Sequence, residues 1–262
     1  MATGNARVKE SRKLSRRSDR SERRLFLADG PKAVEGALTV PGCVVEVFAT
    51  PAAIEQYAEL AAAAVDLPWT LVDDRALASL SDSVSPAGIV ALCRHLDRPL
   101  ADLLETPRRL VALCADVRDP GNAGTVVRCA DAAGADAVVL AGSSVDAYNP
   151  KTVRASVGSL FHVPLAVEPD AAAAVRAAQA AGLTVLAADG AGETDLFEAD
   201  ELLAGPTAWL FGNEAWGLPD ELAALADHRV RIPIHGRAES LNLATAAAVC
   251  LYASARAQRR PA

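Results

Sequence analysis

The sequence lacks the features that mark several common classes of protein. No uninterrupted apolar run approaches the roughly 20 residues of a membrane-spanning helix, and the N-terminus is basic and polar where a signal peptide has an apolar core. The five cysteines are scattered, odd in number and free of any CxxC spacing, which argues against a disulfide scaffold or a zinc site. The four histidines are too dispersed for a metal cluster. We therefore expect a protein of the reducing cytoplasm, without a membrane segment or a bound metal.

Two frequent nucleotide-binding motifs are also missing. The chain has no GxxxxGK[ST] sequence of a P-loop, and Gly190-Ala191-Gly192 lacks the third glycine of a dinucleotide fingerprint. Of the 262 residues, 51% are apolar and 23% are charged, which is ordinary for a soluble globular protein. The chain is long enough for two domains or one large one.

The net charge of −7 is unevenly distributed along the chain. Residues 1–24 carry nine Lys and Arg against three acidic residues, so this segment is +6 and residues 25–262 are −13. A basic N-terminal arm on an acidic body can neutralise nucleic-acid phosphates locally, although the average charge is negative. A disordered solubilising tail or a plain solvated helix accounts for the same charges, and both alternatives stay open.

The first half of the chain after this segment, residues 25–104, has the pattern of a small α/β unit. A short apolar strand ends in the turn Asp29-Gly30, and a later turn that starts at Ser83 leads into a buried strand ending at Leu92. Between them the pattern predicts a helix at 31–38, a strand at 43–48 and a helix at 51–64. The segment 104–109 is the expected linker.

The second half of the chain alternates strands and helices, which indicates a parallel sheet covered on both faces. Gly134 and Gly182 are placed to end helices, and Pro219 is placed to begin one. The predicted strands are 110–115, 135–141, 183–188, 208–211 and 230–234, and the predicted helices are 122–133, 170–181, 219–225 and 243–258.

Three short motifs in this half follow predicted strands or begin helices. They run from Asn122 to Arg128, from Phe211 to Gly217, and from Ser240 to Leu243. In an open α/β sheet, ligands bind at the carboxyl ends of the strands, so these turns are the places where a site is expected.

The residues within the motifs have local interpretations as well as functional ones. Asn122 and Ser240 are both suited to cap the helices that follow them. Arg128 has small or apolar neighbours, which gives a surface arginine no obvious structural purpose. Two glycines bracket Glu214 directly after a strand, in a loop that lets a flat ligand approach the backbone.

In this order and spacing, the three motifs resemble those of the SpoU/TrmH family of RNA ribose 2′-O-methyltransferases, in the SPOUT superfamily. The resemblance implies that residues 105–262 form an α/β domain with a deep trefoil knot, which no periodicity predicts, and that the protein is a homodimer. Asp29-Gly30 and the sequence from Pro86 to Ala91 are similar to a substrate-binding domain with a ribosomal-protein-like α/β fold. The family usually has Glu-Gly at the first of these places, and Ser where Ala244 stands.

The resemblance also implies roles for individual residues. S-adenosylmethionine would be held, largely through backbone groups, by Ala188, Gly212, Asn213, Gly217, Ile232, Pro233 and Leu241. Catalysis would involve Arg128, Glu214, Ser240 and Asn242, with Glu214 orienting Arg128 or the ribose. Contacts to RNA would come from Asn122, Lys151 and Arg154, with solvated surface charges as the alternative for Lys151 and Arg154. The charge of the basic segment, and not the resemblance, makes Arg12, Lys13, Arg16 and Arg17 further candidates for RNA contacts.

The chemistry implied is transfer of a methyl group to a ribose 2′-hydroxyl. Mechanisms in the family often give the arginine of the first motif a base role. The pKa of an arginine side chain lies above about 12, however, so the side chain keeps its proton at neutral pH. We therefore expect Arg128 to stabilise the developing alkoxide while a phosphate or water accepts the proton. Large-subunit ribosomal RNA is the expected target. Transfer RNA, an antibiotic-resistance mark on ribosomal RNA, and a non-catalytic ribosome-assembly role remain as alternatives.

Overall fold

The computed structural model describes residues 6–259, which form thirteen α-helices and eleven strands. The helices are α1 Ala6–Arg12, α2 Arg17–Arg23, α3 Pro31–Leu38, α4 Pro51–Gln56, α5 Ala58–Ala63, α6 Asp74–Ala78, α7 Leu100–Leu104, α8 Pro120–Ala133, α9 Pro150–Ser156, α10 Ala171–Ala180, α11 Asp200–Ala204, α12 Asp220–Ala223 and α13 Leu243–Gln258. The strands are β1 Leu25–Asp29, β2 Val44–Ala49, β3 Trp69–Leu71, β4 Ile89–Arg94, β5 Leu110–Ala115, β6 Ala137–Ala141, β7 Leu165–Glu168, β8 Thr184–Ala188, β9 Thr194–Asp195, β10 Thr207–Phe211 and β11 His228–Arg231.

The chain divides into two compact units. The first contains the described residues up to Leu96 together with Asp146–His162, and the second contains Asp97–Val145 and the described residues from Val163 onward. The segment 146–162, which the sequence assigned to the second domain, thus belongs to the first unit. The functional domain limits of 25–104 and 105–262 stay a prediction.

The first unit is built on a four-stranded sheet in the order β1-β4-β2-β3. β4 runs antiparallel to both of its neighbours, and β2 and β3 are parallel. The predicted helix at 51–64 is interrupted, because Tyr57 has a non-helical backbone (φ −113°, ψ 45°) and separates α4 from α5. The α/β character predicted for this half is confirmed.

The basic segment is folded into the first unit. Val8 and Leu14 are buried and pack in one cluster with Leu27 and Phe48. Arg20 is only 2% exposed. It forms a 2.6 Å ion pair with Asp146 and donates hydrogen bonds to two backbone carbonyls. Over residues 6–24 the segment is therefore neither a disordered tail nor a purely solvated helix, since it contributes side chains to the core.

The second unit contains a seven-stranded sheet in the order β7-β6-β5-β10-β8-β11-β9. All of its strand pairs are parallel, as the sequence predicted. Every residue of β5, β6 and β10 is buried, because helices cover the sheet on both faces. α13 is tied to β10 by a buried hydrogen bond of 2.9 Å from Trp209 Nε1 to Ser254 Oγ.

One strand of this sheet is shorter than predicted. β11 ends at Arg231, and the predicted continuation through 232–234 is a loop. Pro233 has no amide hydrogen to donate to a neighbouring strand, which accounts for the early end. This loop is the segment that reaches the third motif. The trefoil knot stays a prediction.

None of the helices within residues 6–259 is both long enough and apolar enough to cross a membrane.

Candidate functional site

The three motifs meet at the carboxyl edge of the seven-stranded sheet. β5 is followed by the first motif, β10 by the second, and β11 by the loop that leads to the third. β8 lies between β10 and β11, so the turn after β8 shares this edge. Strands that are distant in sequence are neighbours here, which brings segments more than 90 residues apart into contact.

A chain of side-chain hydrogen bonds joins the motifs. The carboxylate of Glu214 accepts bonds from the backbone amides of Arg118 and Asp119 at 3.1 and 3.0 Å. It also accepts a bond from Asn122 Nδ2 at 3.2 Å. Asn122 Oδ1 in turn accepts a bond from Asn242 Nδ2 at 3.0 Å. Asn122 therefore links the acidic residue of the second motif to the asparagine of the third.

The helix caps differ from those predicted. Asp119 caps α8 by accepting a bond from the Asn122 amide at 2.8 Å, and Asn242 caps α13 by accepting bonds from Ala244 and Thr245. The predictions that Asn122 and Ser240 are caps were therefore wrong. Each predicted cap has another polar residue within three positions of it, Asp119 before Asn122 and Asn242 after Ser240. That residue has the capping geometry. The side chain of Asn122 is left to bridge the motifs.

The second motif is a tight, internally bonded loop. The backbones of Asn213 and Gly217 exchange two hydrogen bonds of 2.8 and 2.9 Å. The buried side chain of Asn213 donates to the carbonyl of Asp116, which has a left-handed backbone (φ 55°), and accepts from the Ala215 amide. A Cβ at Gly212 would lie 2.4 Å from the Gly217 backbone, so only glycine fits there.

A cavity of about 280 Å³ opens beside these loops in the second unit. Six of the seven predicted cofactor residues line it: Ala188, Gly212, Asn213, Gly217, Ile232 and Leu241. Two of the predicted catalytic residues, Glu214 and Ser240, line it as well. Pro233 does not line the cavity, although both of its neighbours in the 232–234 loop do.

Several lining residues were missed by sequence reasoning. Asp189 and Gly190, in the turn after β8, and Glu239, before the third motif, all line the cavity. Asp189 is held by Arg229, whose Nε and Nη2 donate at 3.0 and 2.7 Å. In the sequence, Gly190-Ala191-Gly192 is only an incomplete dinucleotide motif. Its position directly after a predicted strand was the signal that could have identified it.

The charge state of Glu214 follows from its surroundings. Partial burial alone would raise the pKa of this carboxyl, but the hydrogen bonds from Arg118, Asn122 and Asp119 outweigh it and hold the pKa below its ordinary value. The site therefore contains a carboxylate at neutral pH. By contrast, burial raises the pKa of the neighbouring Cys114 thiol to about 12, which leaves it without a nucleophilic role.

Arg128 lies on the exposed face of α8 and does not line the cavity. Within residues 6–259 it forms no hydrogen bond or ion pair. Glu214 makes no direct bond to Arg128, because its oxygens accept from the amides of Arg118 and Asp119 and from Asn122. The sequence predicted that Glu214 orients Arg128 or the ribose, and orientation of the ribose stays a prediction.

Most of the predicted RNA contacts belong to the first unit. Arg12, Lys13, Arg16 and Arg17 are exposed on the N-terminal helical turns, and Lys13 pairs with Glu10 at 2.8 Å. In the same unit Arg154 donates two bonds to Asp82, at 3.3 and 3.2 Å, which leaves it less available for phosphate than predicted. Lys151 lies in the first turn of α9.

Comparison with known proteins identifies the family. The sequence model described as "SpoU rRNA Methylase family" matches residues 109–252, and that of an MRM3-like substrate binding domain matches residues 5–91. The chain is 33% identical to the 23S rRNA (guanosine(2553)-2'-O)-methyltransferase RlmP of Bacillus subtilis (strain 168), with 95% of each chain covered.

Solved structures agree with this match. The crystal structure of an AdoMet-bound rRNA methyltransferase from Sinorhizobium meliloti superposes with a TM-score of 0.86 at 33% identity, covering 98% of this chain and 96% of that one. The SpoU methyltransferase AviRb from Streptomyces viridochromogenes, in complex with AdoMet, gives a TM-score of 0.84 at 30% identity and covers 96% of this chain and 97% of its own. The resemblance of the three motifs is thereby confirmed, and the chain belongs to the SpoU rRNA methylase family.

Proposed function

We propose that this protein transfers a methyl group from S-adenosylmethionine to a ribose 2′-hydroxyl of large-subunit ribosomal RNA. The observation that carries the proposal is the hydrogen-bonded chain from Glu214 through Asn122 to Asn242, which joins all three motifs beside one cavity. Relatives named as 23S rRNA 2′-O-methyltransferases support the choice of substrate.

The cavity fits S-adenosylmethionine in size and chemistry. Its volume of about 280 Å³ is just below the range of ligand pockets, roughly 300–1,000 Å³. Ile232, Leu241 and Leu243 give it apolar walls, while Gly190 and Gly217 have open space where a Cβ would stand, so a flat base can approach the backbone. The acidic side chain of Glu239 favours a cationic ligand, whereas the charge of Asp189 is already paired with Arg229.

The chain's own residues supply alignment and charge. Bound S-adenosylmethionine supplies an electrophilic methyl group. Each amide nitrogen of Asn122 and Asn242 uses one N–H in the bridge and keeps a second for sugar or phosphate oxygens. The hydroxyl of Ser240 is exposed at the cavity. Arg128 stabilises the negative charge that develops on the ribose 2′-oxygen when the 2′-hydroxyl gives its proton to a phosphate or water.

We further propose that the protein acts as a homodimer through the exposed face of α8 and α13. Arg128 lies on this face with small or apolar neighbours: Thr125, Cys129, Ala132, Val249 and Tyr252. The two helices are in contact, and Tyr252 Oη donates to the Ala132 carbonyl at 3.4 Å. A second copy on this face would enclose Arg128 and give the unpaired guanidinium a place in a shared site.

Light scattering tests the dimer. The wild-type protein is expected at twice the mass of the chain, and Val249→Arg at the mass of a monomer with reduced methyl transfer. A monomeric wild type with full activity would contradict this part of the proposal.

The proposed activity is tested with tritiated cofactor. The purified protein is expected to bind S-adenosylmethionine in a calorimeter and to label 23S rRNA from a strain that lacks the gene. Labelling of transfer RNA alone would move the substrate to that class. Binding of RNA without any transfer would indicate a non-catalytic assembly factor.

A further inference from the structure

The described residues of the first unit enclose a second cavity, of about 240 Å³, which the proposed methyl transfer does not use. It is bounded by the 3-10 turn at Lys13–Ser15 that follows α1, by the loop after α6, and by the turn before α9. These three segments come from distant parts of the sequence, so the cavity is a product of the fold and not of one local turn.

The inner wall of this second cavity contains a small apolar patch. Leu14, Leu27 and Leu80 line it, and each is buried against the core of the first unit. Tyr148 also lines it, and its ring is fixed by stacking against His95 with centroids 3.8 Å apart. A wall of this kind suits the flat, weakly polar face of a ring system.

The polar groups at the cavity divide into occupied and available ones. The hydroxyls of Ser79 and Ser81 are occupied, since they donate to the Ala76 carbonyl and to Asp29 at 2.6 and 2.5 Å. Asn149 uses its carbonyl oxygen to accept from the Lys151 amide at 2.9 Å, which leaves its NH₂ group available. Asp82 accepts from Arg154 through one oxygen and has a second oxygen available.

Two further groups at the cavity are available. Arg12 is exposed, lines the cavity and forms no hydrogen bond or ion pair within residues 6–259. The hydroxyl of Ser15 is likewise exposed and makes no bond to the described residues. The cavity thus offers a cation, neutral donors and a carboxylate acceptor around an apolar wall.

We propose that this cavity binds one unpaired nucleotide of the RNA substrate. Sequence-specific proteins recognise single-stranded RNA by holding splayed bases against apolar or aromatic surfaces and by bonding their polar edges. Here the base packs on the leucine wall, Asn149 and Asp82 meet its edge, and Arg12 contacts a phosphate. A cavity of about 240 Å³ is too small for a duplex. The inference rests on RNA being the substrate of the proposed function.

Two matched pairs of variants test the proposal in the full-length protein. Arg12→Gln removes a charge at the cavity, and Arg75→Gln removes the same charge from an exposed position of the same unit that does not line the cavity. Ser15→Trp fills the cavity, and Ser18→Trp adds the same side chain at an exposed position outside it. Dissociation constants for a 23S rRNA transcript are measured by filter binding at one salt concentration.

Arg12→Gln and Ser15→Trp are each expected to weaken binding of the transcript by about tenfold, within the range that stacking of one base supplies. The two control variants should stay within about twofold of the wild type. Equal weakening by Arg12→Gln and Arg75→Gln would mean that the basic residues act only through their overall charge, and would overturn the proposal. Normal binding by Ser15→Trp with an unchanged melting temperature would overturn it as well.

Two further measurements separate this site from the methyl transfer site and from free nucleotides. The affinity for S-adenosylmethionine should be the same in all four variants, since the second cavity lies in the other unit. If the wild type binds RNA through this cavity but transfers no methyl group, the RNA site is supported and the proposed methyl transfer is contradicted. Calorimetry with AMP, GMP, CMP and UMP should show no binding below millimolar concentrations. Tight binding of a free mononucleotide would overturn the assignment to RNA.

Discussion

Asn122 Oδ1 accepts a 3.0 Å hydrogen bond from Asn242 Nδ2, across 120 positions of sequence. The same Asn242 caps α13 with its oxygen, and the same Asn122 donates to Glu214 with its nitrogen. One pair of amides therefore fixes the start of the last helix relative to the first two motifs. Substitutions can separate this linking role from local roles such as capping of α13 by Asn242.

Asn242→Asp is expected to separate capping from linking. A carboxylate can still accept from the Ala244 and Thr245 amides, so the melting temperature should stay close to that of the wild type. It cannot donate to Asn122, and we expect the kcat of methyl transfer to fall about tenfold. Asn242→Ala loses the cap as well, at a cost of about 1 kcal/mol. Wild-type turnover by Asn242→Asp would show that the link is not needed.

Arg128→Ala is expected to lower kcat by about 10²–10³, the typical effect of removing one group that stabilises a developing oxyanion. The affinity for S-adenosylmethionine should be nearly unchanged, because Arg128 does not line the cavity. Arg128→Lys should recover little activity, since a point charge does not reproduce the planar guanidinium. Near-normal turnover by the lysine variant, measured with tritiated cofactor, would contradict the assigned role.

Glu214→Gln tests the pH dependence of the motif contacts. The pKa of Glu214 is lower in the folded protein than in the unfolded chain, so its stabilising effect is complete above the unfolded pKa of about 4.3 and is lost as the pH falls through the folded pKa. We expect the variant to melt about 1–3 °C below the wild type at pH 7, a small difference because the side chain is exposed. The difference should narrow as the pH falls below the unfolded pKa and through the folded pKa. A constant difference from pH 7 to pH 3 would contradict this account.

Two glycine substitutions should have opposite consequences. Gly212→Ala places a Cβ 2.4 Å from the Gly217 backbone, so we expect a destabilised loop and a lowered melting temperature. Gly190→Ala has open space for its Cβ and should fold normally, but it narrows the cavity and should weaken binding of S-adenosylmethionine several-fold. Calorimetry and thermal melts on both variants check this. Unchanged cofactor binding by Gly190→Ala would argue against a ligand at the turn after β8.

Trp216 provides an optical report on the same loop. It is 59% exposed, next to Ala215 and Gly217 of the cavity wall, whereas Trp209 is fully buried. Binding of S-adenosylmethionine should change the tryptophan emission of the wild type, and the change should be absent in Trp216→Phe while calorimetric affinity is retained. An identical change of emission in Trp216→Phe would show that another tryptophan reports the binding.

The sequence predicted the parallel sheet and most of the cavity wall for a clear physical reason. Apolar strands such as β5 and β10 are buried on both faces and read as continuous hydrophobic runs, and the glycine-rich turns after them mark where a ligand can approach. It could not predict strand order. Since β8 lies between β10 and β11, the turn with Asp189 and Gly190 joins the site, and this neighbourhood is visible only in three dimensions.

The N-terminal segment shows where charge counting misleads. Nine basic residues within 1–24 predicted a basic N-terminal arm, with a disordered tail or a solvated helix as alternatives. Val8 and Leu14 are buried in the core, however, and Arg20 pairs with Asp146, so deletion would open the first unit. Two apolar residues among many charges give too weak a periodic signal to predict that packing. Single charge substitutions such as Arg12→Gln are the sound test of its role in RNA binding.

The most direct test of the account is to locate the methyl group on the RNA. The protein is incubated with 23S rRNA from the deletion strain and tritiated S-adenosylmethionine, and the RNA is then hydrolysed in alkali. A methyl group on a ribose 2′-oxygen protects the adjacent phosphodiester, so the label is predicted in an alkali-resistant dinucleotide from a single site. Arg128→Ala should incorporate this label at a rate about 10²–10³ lower. Label in mononucleotides would mean that a base is methylated, and this would contradict the proposed function.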